Sequence, residues 1–295
     1  MTILNIGSVN IDHAYRVTHH PAPGETILDK GYLRGLGGKG ANMSLAAAAA
    51  GADVRHVGAV GQDGAWCRDQ MADAGIDVSD LDIGPIETGH GLIMVDDAGE
   101  NVIVVHSGAN QALSIDAITS AIGRAAPGDW LLLQNETNLV PEAARAARDA
   151  GLKVAYAAAP FDAGAATQML DLADLIAVNQ VEAEQLASAT GRTLDDLGVP
   201  ALLVTLGAKG AVYRATVDGG DPVQIETPAF PVTPVDTTGA GDTFFGFFLA
   251  GLDKGQDIAA ALRRAAAAAA LQVTRPGAGE AIPSGAEVDA FLKRA

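Results

Sequence analysis

Short apolar runs rich in β-branched residues recur along this chain, each followed by a segment of helical character. That alternation restricts the fold to an α/β architecture around a central, mostly parallel sheet flanked by helices. Candidate strands lie at 3–7, 54–59, 130–134, 153–156, 175–178 and 202–205. Between them the helices carry their own punctuation. In 141–150, Pro141 suits a first helical position and Gly151 follows the last turn, and 41–51 ends on Gly51 in the same way. The alanine tracts 46–50 and 265–270 lie in helical patterns and read as faces for close helix packing. No repeat of fixed period and no Pro- or Ser-rich linker divides the chain, so residues 1–295 are expected to form a single domain.

Two segments break the alternation. Residues 14–34 contain Pro21, Pro23 and Gly24, and 89–106 contain two apolar runs, 91–95 and 102–105. Both read as antiparallel ribbons inserted between helical units. Together, segments of about 13–35 and 89–106 predict a small β-sheet lid over a site, with an edge suited to pairing with a second copy as a homodimer.

Charge narrows the partners. With 19 Lys and Arg against 36 Asp and Glu, the net charge of -17 and the absence of a basic cluster argue against nucleic acid or an anionic membrane surface. No uninterrupted apolar run has membrane length, and the first residues show no basic region followed by a long apolar stretch, so a soluble, cytoplasmic protein is expected. The single cysteine, Cys67 beside Trp66, excludes an internal disulfide framework and a cysteine-based zinc site, and reads as a buried thiol.

Residues 236–243, Asp-Thr-Thr-Gly-Ala-Gly-Asp-Thr, join a glycine-rich turn, a carboxylate and the start of the apolar helix beginning Phe244-Phe245. Backbone N–H groups of such a turn converge on an anion, and the helix start adds its positive end. Asp242 could then take the proton of an attacking hydroxyl, which is the division of labour that phosphoryl transfer needs. A plain helix cap after a turn fits the same residues.

A second glycine cluster, Gly35-Leu36-Gly37-Gly38-Lys39-Gly40-Ala41-Asn42, formally contains a dinucleotide pattern at Gly35, Gly37 and Gly40. The residues before it belong to the suspected lid and not to a core strand, and Lys39 is followed by Gly40 where a P-loop needs Ser or Thr. What remains is backbone that can approach a small polar ligand, with the Asn42 amide able to donate and accept, as a polyol requires.

The two clusters, in this order and spacing, resemble the ribokinase-like (PfkB) family of sugar and nucleoside kinases. Further matches are Gly7-Ser8-Val9-Asn10-Ile11-Asp12, Pro21 to Thr26, His106 to Asn110, Asn179-Gln180-Val181-Glu182, Thr205 to Gly210, and Val273 to Ala278. The resemblance covers nearly the whole chain. It implies transfer of the γ-phosphoryl of ATP, with Mg2+, to the primary hydroxyl of a pentose, D-ribose at its 5-hydroxyl first. By similarity Asp242 is the base, and the backbone of Gly239, Ala240 and Gly241 forms the anion hole. Asn10, Asp12, Gly38, Asn42 and Glu136 fall where the family holds the sugar, with Lys39 counted in that loop as a cation and not as a phosphate contact.

Asn179, Thr205, Gly207, Gly210 and Gly241 fall on the nucleotide side, and Glu182 is implied to act on magnesium through water. The family often uses a monovalent cation such as K+, which here would involve Asp236, carbonyls near Thr238 and the loop from Arg275 to Gly277. Three residues depart from the pattern. The neighbours of Glu136 are unusual, Ala281 stands where the family commonly offers a Ser oxygen to that cation, and His90 replaces a small apolar residue near the sugar. The alternatives are a kinase of a nucleoside or another small sugar and, from a different class, a non-catalytic sugar-binding protein on the same scaffold. A dinucleotide-dependent oxidoreductase rests on the Gly35 pattern alone.

Overall fold

Thirteen strands and nine α-helices make up the described part of the computed structural model, residues 1–216 and 223–295. In chain order they are β1 (Thr2–Ile6), β2 (Asn10–Arg16), β3 (Gly31–Gly37), α1 (Lys39–Ala49), β4 (Asp53–Gly61), α2 (Ala65–Asp73), β5 (Asp77–Gly84), β6 (Gly89–Val95) and β7 (Asn101–His106). Next come α3 (Ile115–Ile122), β8 (Trp130–Gln134), α4 (Val140–Asp149), β9 (Lys153–Ala157), α5 (Ala163–Met169), β10 (Leu175–Asn179), α6 (Gln180–Thr190) and β11 (Ala201–Thr205). The chain ends with β12 (Ala211–Ala215), β13 (Val223–Thr227), α7 (Ala240–Asp253), α8 (Ile258–Gln272) and α9 (Gly285–Leu292).

Nine strands form one sheet in the order β13-β12-β11-β10-β9-β8-β1-β4-β5, parallel except for the β11–β12 and β12–β13 pairs at one edge. Its central strands are buried on both faces, which is why they read as continuous apolar runs. Side-chain alternation divides them into two cores. Ile3, Val54, Leu132, Ala155, Leu175 and Leu203 face α1, α2, α7, α8 and α9, whereas Leu4, Leu131, Leu133, Val154, Ile176 and Leu202 face α3 to α6. Each large apolar side chain removed from water in this way contributes about 1.5–3 kcal/mol.

α7 lies inside the first core. Phe244, Phe245, Phe247 and Phe248 are all buried, so the helix is apolar on every side. It is pressed against the alanine face of α1, where a Cβ on Gly246 would come within 2.6 Å of the Ala46 methyl carbon. Alanines 265–268 of α8 are likewise buried. The alanine tracts therefore serve close helix packing.

The two interrupting segments are the hairpins β2–β3 and β6–β7, each antiparallel, joined by parallel pairing of β2 with β6 into a second sheet of order β3-β2-β6-β7. This sheet starts earlier in the chain than 13, because β2 begins at Asn10. Asn10 and Asp12 are therefore strand residues of the small sheet and not a turn after β1. The edge strands β5 and β13, and β12 next to the latter, were not among the candidate strands. They are short or half polar, as in Asp77-Val-Ser-Asp-Leu-Asp-Ile-Gly, and carry little apolar signal.

From β1 the sheet order runs outward in both directions, to β4 and to β8. Open α/β sheets bind ligands beside such a reversal, outside the carboxyl ends of the strands. Glu136, Asn179 and Thr205 lie at or just beyond strand carboxyl ends, and Asn10 opens the small sheet shortly after the end of β1. No described helix is long and apolar enough to cross a membrane.

Candidate active site

The sugar-side residues converge on a floor cleared by glycines. Asn10 is paired in register with Gly37 and Gly89, and Asp12 with Gly35 and Gly91. A Cβ on Gly37 would fall 2.1 Å from Asp12 Oδ2, and one on Gly89 2.4 Å from Asn10 Oδ1. Gly37 thus makes room for Asp12, and Gly35 for Glu280, whose Oε1 would lie 2.6 Å from a Cβ there; both belong to strand β3, which removes the dinucleotide reading of that pattern. Gly38, at φ 92°, turns the chain from β3 into α1, and a side chain there would meet the Asn10 backbone nitrogen at 2.9 Å.

Hydrogen bonds across long stretches of sequence fix these groups. Asn110 Nδ2 donates to Asn10 Oδ1 at 2.7 Å, while its Oδ1 accepts from the Val9 amide at 2.9 Å. Glu136 Oε2 accepts from the Ser8 hydroxyl and from the Lys39 amide at 2.9 Å, so one oxygen of Glu136 anchors the loop at the start of α1. Behind it the buried His56 donates from Nε2 to Gly7 O at 3.1 Å and accepts from Ser44 at Nδ1, and burial pushes its pKa down to about 4. Asp12 is crowded by acids: burial, then Glu136, Glu280 and Asp242, raise its pKa from 3.8 to about 7.

Asp242 sits in the first turn of α7, 6% exposed, after Gly239 in the left-handed region at φ 74°. Asn42 Nδ2 donates to Asp242 Oδ2 at 3.0 Å, and Lys39 Nζ lies 3.9 Å from Oδ1. Asp242, then Glu136 and Glu182, hold the Lys39 ammonium above its ordinary pKa against the effect of burial. In the glycine turn the Ala240 amide donates to Thr237 O at 3.3 Å, leaving the amides of Gly239, Gly241 and Asp242 without a backbone acceptor among the described residues. Of the three anion-hole residues expected from sequence, Ala240 contributes its place in the turn more than its N–H, and the amide of Asp242 itself joins the other two.

Two cavities meet at this turn and share Thr205, Gly207, Thr237, Ala240 and Gly241. One, of about 340 Å³, is lined by Lys39, Asn179, Glu182 and Asp242. Lys39 therefore turns its amide to Glu136 and its ammonium to the cavity with Asp242, whereas the sequence reading counted it only in the sugar-side loop. The second cavity, of about 420 Å³, is walled by Phe230, Val232, Phe244, Ala269, Ala270 and Val273. Its apolar slot suits a flat heteroaromatic ring. Gly210 lines it, yet the glycine answers first to packing, since a Cβ there would fall 1.9 Å from Thr227 O.

Asn179 and Glu182 form a reciprocal cap on α6: Asn179 Oδ1 accepts from the Glu182 amide at 2.9 Å and Glu182 Oε2 accepts from the Asn179 amide at 2.7 Å. Burial, against the Asn179 hydrogen bond and Lys39, raises the pKa of Glu182. No cluster of three metal-ligating side chains occurs among the described residues. Magnesium keeps its waters and binds through one or two carboxylates together with nucleotide phosphates. Glu182 and Asp242 are the two carboxylates on the shared cavity.

Two groups expected at a monovalent cation, the Asp236 carboxylate and the Thr238 carbonyl, have protein donors of their own. Asp236 accepts from the amides of Thr238 at 2.9 Å and Gly277 at 3.0 Å, and Arg275 points away into an ion pair with Glu287 at 2.6 Å. The carbonyls of Thr238 and Ala278 accept from Gln272 Nε2 at 2.9 and 3.3 Å, and Ala281 adds no oxygen. Donors that a cation would replace are thus already in place on these oxygens.

His90 lies in register with Ile11, on the face of the small sheet opposite Asn10 and Asp12, with its ring 4.9 Å from that of His106. It does not touch the sugar side. Cys67 is buried, and burial pushes its thiol up to about 12. Three residues of the site had no role in the sequence reading: Asn110, Glu280 and Gln272. Asn110 fell inside a matched segment, whereas Glu280 and Gln272 carried no local signal.

Comparison with known proteins is consistent along the chain. A model described as "pfkB family carbohydrate kinase" matches residues 2–285. A ribokinase of Haemophilus influenzae is 36% identical over 100% of this chain and 99% of its own length. The structure of a Thermotoga maritima ribokinase superposes with a TM-score of 0.88 at 31% identity, covering 99% of each chain. That of Arabidopsis thaliana ribokinase complexed with ribose and ATP gives 0.83 at 30% identity, covering 99% of this chain and 98% of that one.

Proposed function

The chain belongs to the pfkB family of carbohydrate kinases, and from that premise we propose that it transfers the γ-phosphoryl group of ATP to the 5-hydroxyl of D-ribose. The observation that carries the reading is the position of Asp242. Through Asn42 it joins the polar side chains of the sugar side to a glycine turn with free amides at the start of α7. A relative that matches over its full length is named ribokinase, and a solved homologue holds ribose and ATP.

Asn10, Asp12, Asn42 and the free oxygen of Glu136 receive the ring hydroxyls, and the primary hydroxyl is left beside Asp242. The carboxylate takes that proton, the hydroxyl oxygen attacks the γ-phosphorus in line, and the bond to the β–γ bridging oxygen breaks to release ADP. The amides of Gly239, Gly241 and Asp242 meet the charge on the equatorial oxygens, and the Lys39 ammonium supports them from the other wall. Glu182 is the carboxylate that would hold magnesium together with the nucleotide phosphates, and the ion would supply charge neutralisation there. The purine occupies the apolar cavity beyond Thr205 and Gly207.

The whole chain acts as one kinase domain in the cytoplasm, with segments of about 13–35 and 89–106 as its lid. The exposed edge strand β7, with Val102, Ile103, Val104 and Val105 all turned to solvent in part, supports a homodimer through the lid sheets; a monomeric mass in solution would remove that part of the reading. The activity is tested by ADP release with ATP, magnesium and a panel of D-ribose, other pentoses, hexoses and nucleosides. Ribose is expected to give the highest kcat/KM; a nucleoside in first place would keep the mechanism and replace the substrate.

A further inference from the structure

Gln272, the last residue of α8, is fully buried and spans the two segments that frame the anion hole. Its Nε2 donates to Thr238 O at 2.9 Å and to Ala278 O at 3.3 Å, and its Oε1 accepts from the Thr243 hydroxyl. All its hydrogen-bonding partners belong to the turn 236–243 or to the loop 273–281. The same amide nitrogen lies 2.9 Å from where a Cβ of Gly239 would stand, so the residue at the anion hole must be glycine for this contact to exist.

Carbonyls that converge without a donor repel one another and hold a desolvated cation well. Here the two converging carbonyls already have a donor, the Asp236 carboxylate accepts from two amides, and Ala281, 1% exposed, adds no side-chain oxygen. We propose that the Gln272 amide stands in for the monovalent cation beside the anion hole, fixing the turn 236–239 against the loop 273–278 by neutral hydrogen bonds, so that this kinase needs no potassium. Gln272 touches no substrate; it is a positioning residue for the amides of Gly239 and Gly241.

The inference rests on the phosphotransferase reading of the site, and the test separates the two. Steady-state kinetics and thermal melting are compared in potassium chloride and in tetramethylammonium chloride at equal ionic strength, for the wild type, Gln272→Ala, which opens space, and Gln272→Met, which fills it without a donor. For the wild type, kcat is expected to change by less than about twofold between the salts, since removing or adding a cation moves no anion-hole donor, and its melting temperature is expected to be the same in both. Gln272→Ala is expected to lose about tenfold or more in kcat in tetramethylammonium, to recover part of it in potassium, and to melt higher in potassium because the ion binds only the folded state.

Gln272→Met is expected to stay impaired in both salts. A wild type that potassium activates severalfold, or stabilises against melting, overturns the proposal. So does a folded Gln272→Ala protein that is fully active and indifferent to potassium. If no acceptor gives turnover, the phosphotransferase reading fails, yet the melting comparison on the wild type still decides the ion question; the same comparison decides it if the variants do not fold.

Discussion

On the sugar side of Asp242 the polar atoms are side chains, each held by a partner far away in sequence: Asn10 by Asn110, Glu136 by Ser8, and Asp242 by Asn42. On the nucleotide side they are mostly backbone amides at one helix start, between walls of alanine, valine and phenylalanine. The contrast follows from the ligands. Hydroxyls are neutral and differ only in direction, so they are read by fixed donors and acceptors, whereas a polyphosphate is read by charge, for which oriented amides and a helix dipole suffice. The two sides should therefore break under different mutations: the first when a side chain is changed, the second when one is added.

The largest effect is expected at the point common to both sides. Asp242→Asn keeps the shape and the Asn42 contact yet removes the proton acceptor, so kcat should fall by about 10³ while both KM values change little. Steady-state ADP release checks this, and a KM effect larger than the kcat effect would show that Asp242 binds more than it catalyses. Gly241→Ala tests the nucleotide side. Nothing lies within 4 Å of the added methyl group, so the sugar-free, nucleotide-free protein should gain about 0.5–1 kcal/mol from the better helix residue. The methyl group would stand in the path of the phosphoryl, and kcat/KM for ATP should drop about 10²-fold for loss of anion-hole contacts. A more stable and equally active variant would break the claim that backbone does the work there.

The same contrast explains what could be read from the sequence. The parallel sheet, the two ribbons and the glycine turn at 239–241 were legible because each is written in consecutive residues: apolar runs, Pro and Gly punctuation, and a carboxylate at a helix start. Asn42 was legible from its place after the second glycine cluster, whereas Asn10 and Asp12 became legible only through the resemblance, since nothing local distinguishes them from caps and turn formers. Glu280 and Gln272 were not legible at all. Glu280 comes within reach of Asp12 only because the turn 279–281 packs against β3, where the Leu36 amide donates to it at 3.3 Å, and Gln272 has meaning only where α8 ends beside two loops. Lys39 was legible only in part for a related reason: its backbone amide meets Glu136 while its ammonium faces Asp242. For Asn179 and Glu182, the plain capping role and the functional one coexist.

Asp12 sharpens the sugar side further. A carboxyl raised from 3.8 to about 7 is ionised against the fold, so the empty protein should lose stability as pH rises from about 4 to 7. Asp12→Asn removes that cost. At pH 8 the variant should be more stable than the wild type by roughly 2–4 kcal/mol, with the difference fading by pH 4, while KM for the sugar rises about 10-fold or more. Denaturant melts at the two pH values decide the sign. A variant that is less stable at pH 8 would mean that the acids around Asp12 are neutralised by something other than its own protonation.

The smallest effect separates structure from function in one residue. Glu182→Gln retains an oxygen that can accept from the Asn179 amide, so the reciprocal cap on α6 survives and stability should fall by no more than about 0.5 kcal/mol. What disappears is one of two negative charges on the cavity shared with Asp242. If Glu182 acts on the metal through water, the magnesium concentration needed for half-maximal rate should rise about three- to tenfold, with KM for the sugar unchanged. A magnesium titration of the initial rate measures it directly. An unaltered titration would leave Glu182 as a cap alone and would assign the nucleotide side entirely to backbone and to Lys39, which is the comparison in its most extreme form.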